Sequence, residues 1–191
     1  MNLANNQLTA LPQEIGNLIL LTDLNLNLNH LAALPLTIGR LTSLVHLHLS
    51  ENELELLPPE IGHLTSLVFL HLSHNQITFI TPMIGRLVSL THLIFDNNEI
   101  MSVPPQIKGL SSLRCLRLDS NRLTALPQEI GHLASLESLN IANNDLAALP
   151  EALCGLPLLK QLNLQQNQSL DANRFIKTLQ RSHPKCEILY P

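Results

Sequence analysis

Four of the nine histidines fall at spacings that recur along the chain. His48 and His71 are 23 residues apart, and His46 and His92 are 46 apart, which is twice that interval. If each interval adds one strand to a parallel sheet, these rings lie on neighbouring strands, about 4.8 Å apart for each step. Clustered imidazoles can hold a metal ion, or can change charge together near a pH of about 6.5.

A metal site at these histidines is the weaker of the two hypotheses. Zinc usually takes four ligands in a tetrahedral arrangement, and ligating imidazoles are oriented by partners on their second nitrogen. The residues around His48 and His71 do not indicate such partners. We therefore predict no metal and no cofactor. We expect instead that stability or partner binding weakens at mildly acidic pH, where charged imidazoles repel one another.

Cys115 is the one nucleophile that the spacing places beside a general base. It lies 23 residues after His92, so the two side chains would stand on adjacent strands. The sequence has no GxGxxG, GxxxxGKS/T, HExxH or GxSxG motif, and an open sheet face lacks the pocket and oxyanion donors that such a pair requires. The chain is predicted not to be an enzyme.

The same interval governs the whole chain. An asparagine recurs eight times with a spacing of 23 residues and no insertion or deletion. These positions are Asn6, Asn29, Asn52, Asn75, Asn98, Asn121, Asn144 and Asn167. Around them the leucines keep one frame, LxxLxLxxNxLxxLPxxIGxL. A period this strict predicts a solenoid, in which each copy covers the apolar face of its neighbours.

Each copy predicts one strand and one short crossing segment. Residues 46–50, HLHLS, alternate polar and apolar side chains, which is the period of a half-buried strand. Because successive strands arrive from the same direction, they must pair in parallel. Segments such as 57–64, LPPEIGHL, are too short and too rich in proline for long helices. We expect turns or 3-10 helices there, behind a sheet that forms the concave side.

The repeated frame resembles the leucine-rich repeat family, in the 23-residue LPxxIGxL class of intracellular Ras-pathway and scaffold proteins and of bacterial effectors. The resemblance covers residues 3 to about 168. It implies an α/β leucine-rich repeat solenoid with a curved parallel sheet on the concave face, short turns, 3-10 or helical segments on the convex face, and a C-terminal helical cap. It also implies that the eight asparagines form a buried structural ladder, in which each amide bonds backbone groups of adjacent repeats.

The frame divides the chain into a repeat array, residues 1–168, and a carboxy-terminal cap, residues 169–191. Helical spacing predicts an amphipathic helix in the cap, which Ser169 or Asp171 would cap and Pro184 would stop. The apolar face of this helix consists of Ala172, Phe175, Ile176 and Leu179. A candidate final strand follows from the alternation of Cys186, Ile188 and Tyr190.

The first of the eight copies is truncated. It retains only Leu3 of its strand leucines, and an uncapped solenoid end exposes core residues and a free strand edge. We expect the chain to be a trimmed part of a longer protein, with pairing of this end against another surface as the alternative.

Positions two, four and six residues before each asparagine are predicted to point out of the concave face. Most copies have amides or small residues there, whereas the central copies have Phe69 and Ile94, which the fold does not require to be apolar, near Arg117. Aromatic and arginine side chains grouped on one face are typical of binding hot spots. The predicted partner-binding residues are His46, His48, Phe69, His71, His92, Ile94, Asp96, Arg117 and Asp119. Free variation among polar types, with a single accommodated phenylalanine, is the alternative.

Composition limits the kind of partner. The net charge is −4, and the 11 Lys and Arg residues form no basic stripe, which argues against nucleic acid and anionic membrane. No apolar run is long enough to span a bilayer, and residues 1–6 do not resemble a secretory signal. Three cysteines without pairing or CxxC spacing indicate a reducing compartment. We predict a cytoplasmic monomer, or a protein of the host cytosol if it is a delivered bacterial effector.

These observations predict a non-catalytic protein-protein interaction module, a scaffold or effector, that binds a partner protein on the concave sheet. Two alternatives remain open. One is recognition of carbohydrate or another non-protein ligand, and the other is a targeting fragment of a larger multidomain protein. The functional part of the prediction rests on resemblance at the level of the fold.

Overall fold

A computed structural model describes residues 1–190, and these form an open, curved sheet of eight parallel strands in sequence order. The strands are β1 Asp23–Asn25, β2 His46–His48, β3 Phe69–His71, β4 His92–Ile94, β5 Cys115–Arg117, β6 Ser138–Asn140, β7 Gln161–Asn163 and β8 Glu187–Leu189. Residues one repeat apart are direct partners from β1 to β7, as in the pair His48 and His71. The predicted leucine-rich repeat solenoid is confirmed.

Alternation along each strand separates the core from the concave surface. Leu47, Leu70, Leu93 and Leu116 are the central residues of their strands and have no exposed surface, while the residues on either side of them point outward. Burial of one leucine side chain contributes about 1.5–3 kcal/mol. The same contribution recurs in every copy, which is why short strands of three residues are sufficient.

The crossing segments on the convex side are short 3-10 helices. Within residues 1–190 they are Gln13–Asn17, Leu36–Arg40, Pro59–His63, Pro82–Arg86, Pro105–Gly109, Gln128–His132 and Glu151–Gly155. Six of the seven begin after a proline in extended conformation, such as Pro58. Proline has a fixed φ that suits the start of a helix, and it has no backbone N–H that would need a hydrogen-bond partner. Thr81 replaces that proline in the fourth helix, and its side chain accepts a hydrogen bond from the Met83 amide at 3.4 Å.

Seven of the eight ladder asparagines are buried, with 4–8% of their surface exposed. The Nδ2 of Asn98 donates to the carbonyls of Leu72, Phe95 and Asp96 at 2.9, 3.0 and 3.3 Å, and its Oδ1 accepts from the Ile77 amide at 3.0 Å. Each side chain thus connects two repeats. Asn6 differs from the expectation, because it is exposed and donates only to Leu3 and Ala4 of its own repeat.

The residue before each ladder asparagine has a left-handed backbone conformation, with φ between 52° and 57°. Asparagine occupies this position in three repeats, for example at Asn143, but Leu28 occupies it in the second repeat. Leucine adopts this conformation at a cost of about 1–2 kcal/mol, and asparagine tolerates it better.

The substitution Leu28→Asn should therefore raise the free energy of unfolding by about 1 kcal/mol. Leu28 is 45% exposed, so little apolar contact is lost. Guanidinium denaturation measures the change, and Asn143→Leu should show the opposite sign. A decrease in stability for Leu28→Asn would contradict the prediction.

The carboxy-terminal segment covers the last repeat. Helix α1, Asn173–Ser182, packs Leu179 into the core with no exposed surface. The start of the helix differs from the expectation that Ser169 or Asp171 is the N-cap residue. The N-cap residue is Ala172, and the Asp171 carboxylate accepts a hydrogen bond from the Asn173 amide at 3.2 Å. Strand β8 then pairs with β7 in parallel.

Candidate functional site

The outward side chains of β2 to β5 form three rows across the concave face. In the first row, His46, Phe69, His92 and Cys115 are consecutive strand partners. In the second row, His48, His71, Ile94 and Arg117 are consecutive strand partners. The third row includes Asp96 and Asp119, just beyond the ends of β4 and β5. The structure therefore brings all nine predicted residues together in three adjacent rows on the concave side, and we call this group the central patch.

Phe69 is the centre of an aromatic cluster. Its ring centroid lies 5.1 Å from that of His48, 5.8 Å from His92, 6.0 Å from His71 and 6.5 Å from His46. These distances are typical of attractive contacts between aromatic rings. The four histidines shield the edges of Phe69, which is half-buried. The phenylalanine is thus held in place before any partner arrives.

A chain of hydrogen bonds joins the aromatic cluster to an acidic one. Nε2 of His71 lies 2.8 Å from Oγ of Ser73, and this hydroxyl donates to Oδ1 of Asp96 at 2.8 Å. Because the hydroxyl hydrogen is committed to the carboxylate, Ser73 accepts from His71 and Nε2 must carry a proton. In the neutral ring, Nδ1 of His71 is then an acceptor. Ser73 was not among the predicted site residues, since a serine at this position has no distinctive spacing.

Two carboxylates hold the Arg117 guanidinium. It lies 3.5 Å from Asp96 and 3.4 Å from Asp119, and Asn140 donates to Asp119 at 2.8 Å. Burial disfavours the charge, but the two carboxylates more than compensate and raise the pKa of Arg117. For Asp119, burial is the larger influence and raises the pKa of the carboxyl, against the attraction of Arg117. The arginine is permanently charged and fixed in direction.

Asp96 is buried, although its position in the third row predicted a side chain exposed to a partner. Only 6% of the residue is exposed, because its carboxylate turns toward Ser73 and toward Nδ2 of Asn97, at 2.8 and 3.0 Å. It can orient Arg117 and His71 but offers little surface to a partner. The alternation of the sequence predicts which way a side chain points, not how deeply its neighbours cover it.

At the edge of the patch, His46 pairs with Asp23 of β1, with 2.5 Å between Nδ1 and Oδ1. A hydrogen bond from Thr22, together with the one from His46, lowers the pKa of the exposed Asp23 carboxyl. Neither Asp23 nor Thr22 was among the predicted partner-binding residues. Their effect is to fix the direction of the His46 ring.

Two histidines of the patch resist protonation. Burial, reinforced by nearby His46, lowers the pKa of His48 below its usual 6.5. Burial also lowers the pKa of His71, with His48, Arg117 and His74 adding to the effect and Asp96 opposing it. In the unfolded chain both rings regain the ordinary imidazole value. As the pH falls through that value, the unfolded chain binds protons that the native state does not, so stability falls with it.

The free energy of unfolding should therefore decrease as the pH is lowered from about 7.5 to about 5.5. Denaturation at several pH values measures the slope, and the double variant His48→Gln with His71→Gln should reduce it. The exposed convex residues His63 and His132 provide the matched control, since their double glutamine variant should retain the slope. A flat profile in the unsubstituted protein would contradict the prediction.

Cys115 stands beside His92 in register, but its surroundings do not favour a thiolate. Burial raises the pKa of the thiol, and Arg117 only partly opposes this. The Nδ1 of His92 lies 2.8 Å from the hydroxyl of Thr91. The pair therefore has the proximity of a nucleophile and base without the activation.

Among residues 1–190, no group of three or more His, Cys, Asp or Glu side chains is arranged to hold a metal ion. No helix within the same residues has the length and apolar character needed to cross a membrane.

Comparison with known proteins agrees with the strand and ladder geometry. Models of the leucine-rich repeat match residues 43–64, 66–87 and 111–168, together more than half of the chain. The chain belongs to the leucine-rich repeat family. No curated protein matches the sequence.

Solved leucine-rich repeat structures superpose closely on the chain. A leucine-rich repeat protein of Leptospira interrogans is 39% identical with a TM-score of 0.92, over 98% of this chain and 47% of that one. The plant peptide hormone receptor RGFR1, in complex with RGF2, is 29% identical with a TM-score of 0.77, over 85% of this chain and 27% of the receptor. The ectodomain of the Arabidopsis thaliana receptor kinase GASSHO1/SCHENGEN3, in complex with CASPARIAN STRIP INTEGRITY FACTOR 2, is 29% identical with a TM-score of 0.76, over the whole of this chain and 26% of the ectodomain. This chain thus spans less than half of each of these proteins.

Proposed function

We propose that this leucine-rich repeat chain is a non-catalytic interaction module that binds a partner protein at the central patch. The observation that carries the proposal is the position of Phe69, a large aromatic side chain among four histidines on a face whose outward residues are mostly polar. Such an anchor contributes most to binding when polar neighbours exclude water around it. The apolar side chain of Ile94 on the next strand extends the same surface.

Charge would then set the orientation of the partner. Arg117 lies next to Ile94 and is fixed by Asp96 and Asp119. A fixed guanidinium loses little entropy when it bonds a carboxylate or a carbonyl. A partner with an apolar side chain for Phe69 and an acceptor for Arg117 would meet the patch in one direction only.

Strands β6 and β7 lack such features. Outward positions of β6 and β7 are Ser138, Asn140, Gln161 and Asn163, which are small or amide side chains of low hot-spot propensity.

Two of the similar structures are plant receptors in complex with the ligands that their descriptions name. These complexes support a ligand-binding role for this chain.

The proposal also covers the oligomeric state, the cellular role and the compartment of the module. We infer a monomer that acts as a scaffold or effector in the cytoplasm, or in the host cytosol if it is delivered by a bacterium. The free thiols of Cys115, Cys154 and Cys186 support a reducing compartment.

A quantitative pull-down tests the proposal. The bait is the chain itself, compared with the triple variant Phe69→Ala, His71→Ala and Arg117→Glu after circular dichroism has verified its fold. Bacterial and eukaryotic lysates are both used, and captured proteins are quantified by mass spectrometry. We expect at least one protein to be captured by the unsubstituted chain and lost with the variant.

A matched control removes outward side chains at the end of the same sheet. Gln161→Ala and Asn163→Ala occupy the first and second rows on β7, and this double variant should retain the captured protein. Equal capture by the triple variant would place the binding surface elsewhere. Absence of any captured protein would instead favour a non-protein ligand.

A further inference from the structure

A second surface lies on the flank that follows each ladder asparagine. There the chain turns from the sheet toward the convex side, and its side chains alternate between core and solvent. In the third repeat, Glu53 and Glu55 are exposed while Leu54 and Leu57 are buried. In this repeat, exposed residues lie one position before, and one, three and four positions after, Asn52, and we call the equivalent positions of every repeat the flank positions.

Large apolar side chains occupy this flank in three consecutive repeats. Leu56, Phe79 and Met101 are 52%, 50% and 56% exposed, and we call them the apolar stripe. The Thr78 amide donates to the Glu55 carbonyl at 3.3 Å, so Leu56 and Phe79 are neighbours in adjacent repeats. In the first, second, sixth and seventh repeats the same two positions are small: Thr9, Ala10, Ala32, Ala33, Thr124, Ala125, Ala147 and Ala148. In the eighth repeat they are Leu170, which is buried, and Asp171. Single exposed apolar residues are ordinary, but large apolar side chains in three successive repeats are typical of an interface.

Acidic side chains border the stripe. Glu51, Glu53, Glu55 and Glu99 stand on the flank of the third and fifth repeats. Glu53 pairs with His30 at 2.9 Å and Glu99 with Arg122 at 3.1 Å, both from neighbouring repeats. Within the three repeats of the stripe, the exposed flank positions contain no lysine or arginine. We call these four glutamates the acidic rim.

The spacing of the stripe fits a helix. Successive repeats are about 4.8 Å apart, so the stripe is about 10 Å long. Two turns of an α-helix advance about 11 Å, which matches anchors at positions i, i+4 and i+7. The acidic rim would repel a second copy of this chain, nucleic acid or an anionic membrane, and would attract lysine and arginine.

From this match of length and charge, we propose that the apolar stripe and acidic rim dock a basic amphipathic helix of a partner protein. The stripe receives the apolar face of the helix and the rim pairs with its basic flanks. The surface is separate from the central patch, so the proposal does not depend on the function assigned to the patch.

Two synthetic probes test the proposal on the full chain. One is a fluorescein-labelled amphipathic helix of leucine and lysine, roughly 18 residues long with leucines at i, i+4 and i+7. The other has every lysine replaced by glutamate. Fluorescence anisotropy should show that the leucine–lysine helix binds at least about tenfold more tightly than its acidic counterpart. Equal binding of the two, or binding of neither, would overturn the proposal.

Removal of the stripe separates specific docking from general attraction of a basic peptide to an acidic protein. The triple variant Leu56→Ser, Phe79→Ser and Met101→Ser keeps the net charge and should weaken binding of the leucine–lysine helix by about tenfold or more. These side chains are half exposed, so circular dichroism should be unchanged.

A matched control replaces exposed apolar residues at other places, in the variant Ile19→Ser, Leu20→Ser and Leu158→Ser. These residues are 56%, 84% and 50% exposed, and their replacement should leave the dissociation constant unchanged. An equal effect of the stripe and control variants would overturn the proposal, because it would show adhesion without a site.

Glutamine variants test the contribution of the acidic rim to helix binding. The variant Glu51→Gln, Glu53→Gln and Glu55→Gln should weaken binding by several-fold, an effect that added salt diminishes. Its control, Glu14→Gln, Glu129→Gln and Glu151→Gln, makes the same change in net charge away from the stripe and should have a smaller effect. Equal effects of the two would contradict a role for the rim.

Phe69→Ala distinguishes the stripe from the central patch. It should leave binding of the leucine–lysine helix unchanged, because the residue lies on the concave face. Loss of helix binding in this variant would assign the helix to the central patch and overturn the proposal of a second surface.

Discussion

Replacement of Asn98 by alanine should lower the free energy of unfolding by about 3 kcal/mol. The substitution leaves the buried Ile77 amide without its 3.0 Å acceptor, and three carbonyls lose the donor that joined two repeats. A buried donor without a partner costs about 1–3 kcal/mol, and the lost bonds add to this. Guanidinium denaturation followed by circular dichroism measures the change.

Asn6 provides the matched control for this prediction. It occupies the same position in the first repeat but is exposed, and it donates only within its own repeat. Water can replace those bonds, so Asn6→Ala should cost less than about 1 kcal/mol. Similar losses for the two variants would contradict the view that bonds between repeats account for the role of the ladder.

The substitution Gly39→Ala should lower the free energy of unfolding by about 2 kcal/mol. A Cβ at this position would lie 2.6 Å from the Glu60 carbonyl oxygen and 2.8 Å from the Glu60 Cβ. Neither group can move independently, because both belong to the 3-10 helix of the next repeat. The glycine therefore sets the distance between successive helices on the convex side.

The control for this prediction is Gly155→Ala. Apart from its chain neighbours and the backbone of its own helix, no described atom lies within 4 Å of the Cβ that it would add, so its effect should be neutral, or stabilising by up to about 1 kcal/mol. Thermal denaturation of the two variants would give the comparison directly. Destabilisation of equal size at both positions would exclude the clash as the cause.

The constant period explains why so much of the fold could be predicted. Because no repeat gains or loses a residue, residues 23 apart are direct strand partners from β1 to β7. The neighbours of Phe69 in the central patch followed from that spacing alone. Alternation then indicated which side chains leave the core.

The burial of individual side chains and their hydrogen bonds could not be predicted in this way. The low exposure of Asp96 and its bond to Ser73 depend on side-chain rotamers and on the curvature of the sheet. The left-handed conformation of Leu28 contradicts the local preference of leucine, and it arises because the turn of every repeat imposes it. Asn6 is exposed at one end of the sheet, where the short first repeat already predicted uncovered residues, although the ladder pattern alone predicted burial of all eight asparagines.

A binding titration with the captured partner is the most direct test of the central patch as a protein-binding site. Isothermal titration calorimetry would compare the chain with Phe69→Ala and with Gln161→Ala, which occupies the same row on β7. Removal of a central aromatic anchor costs about 2 kcal/mol or more. We expect the dissociation constant to increase at least about tenfold for Phe69→Ala and to remain unchanged for Gln161→Ala. Equal affinities for all three proteins would show that the partner binds outside the central patch.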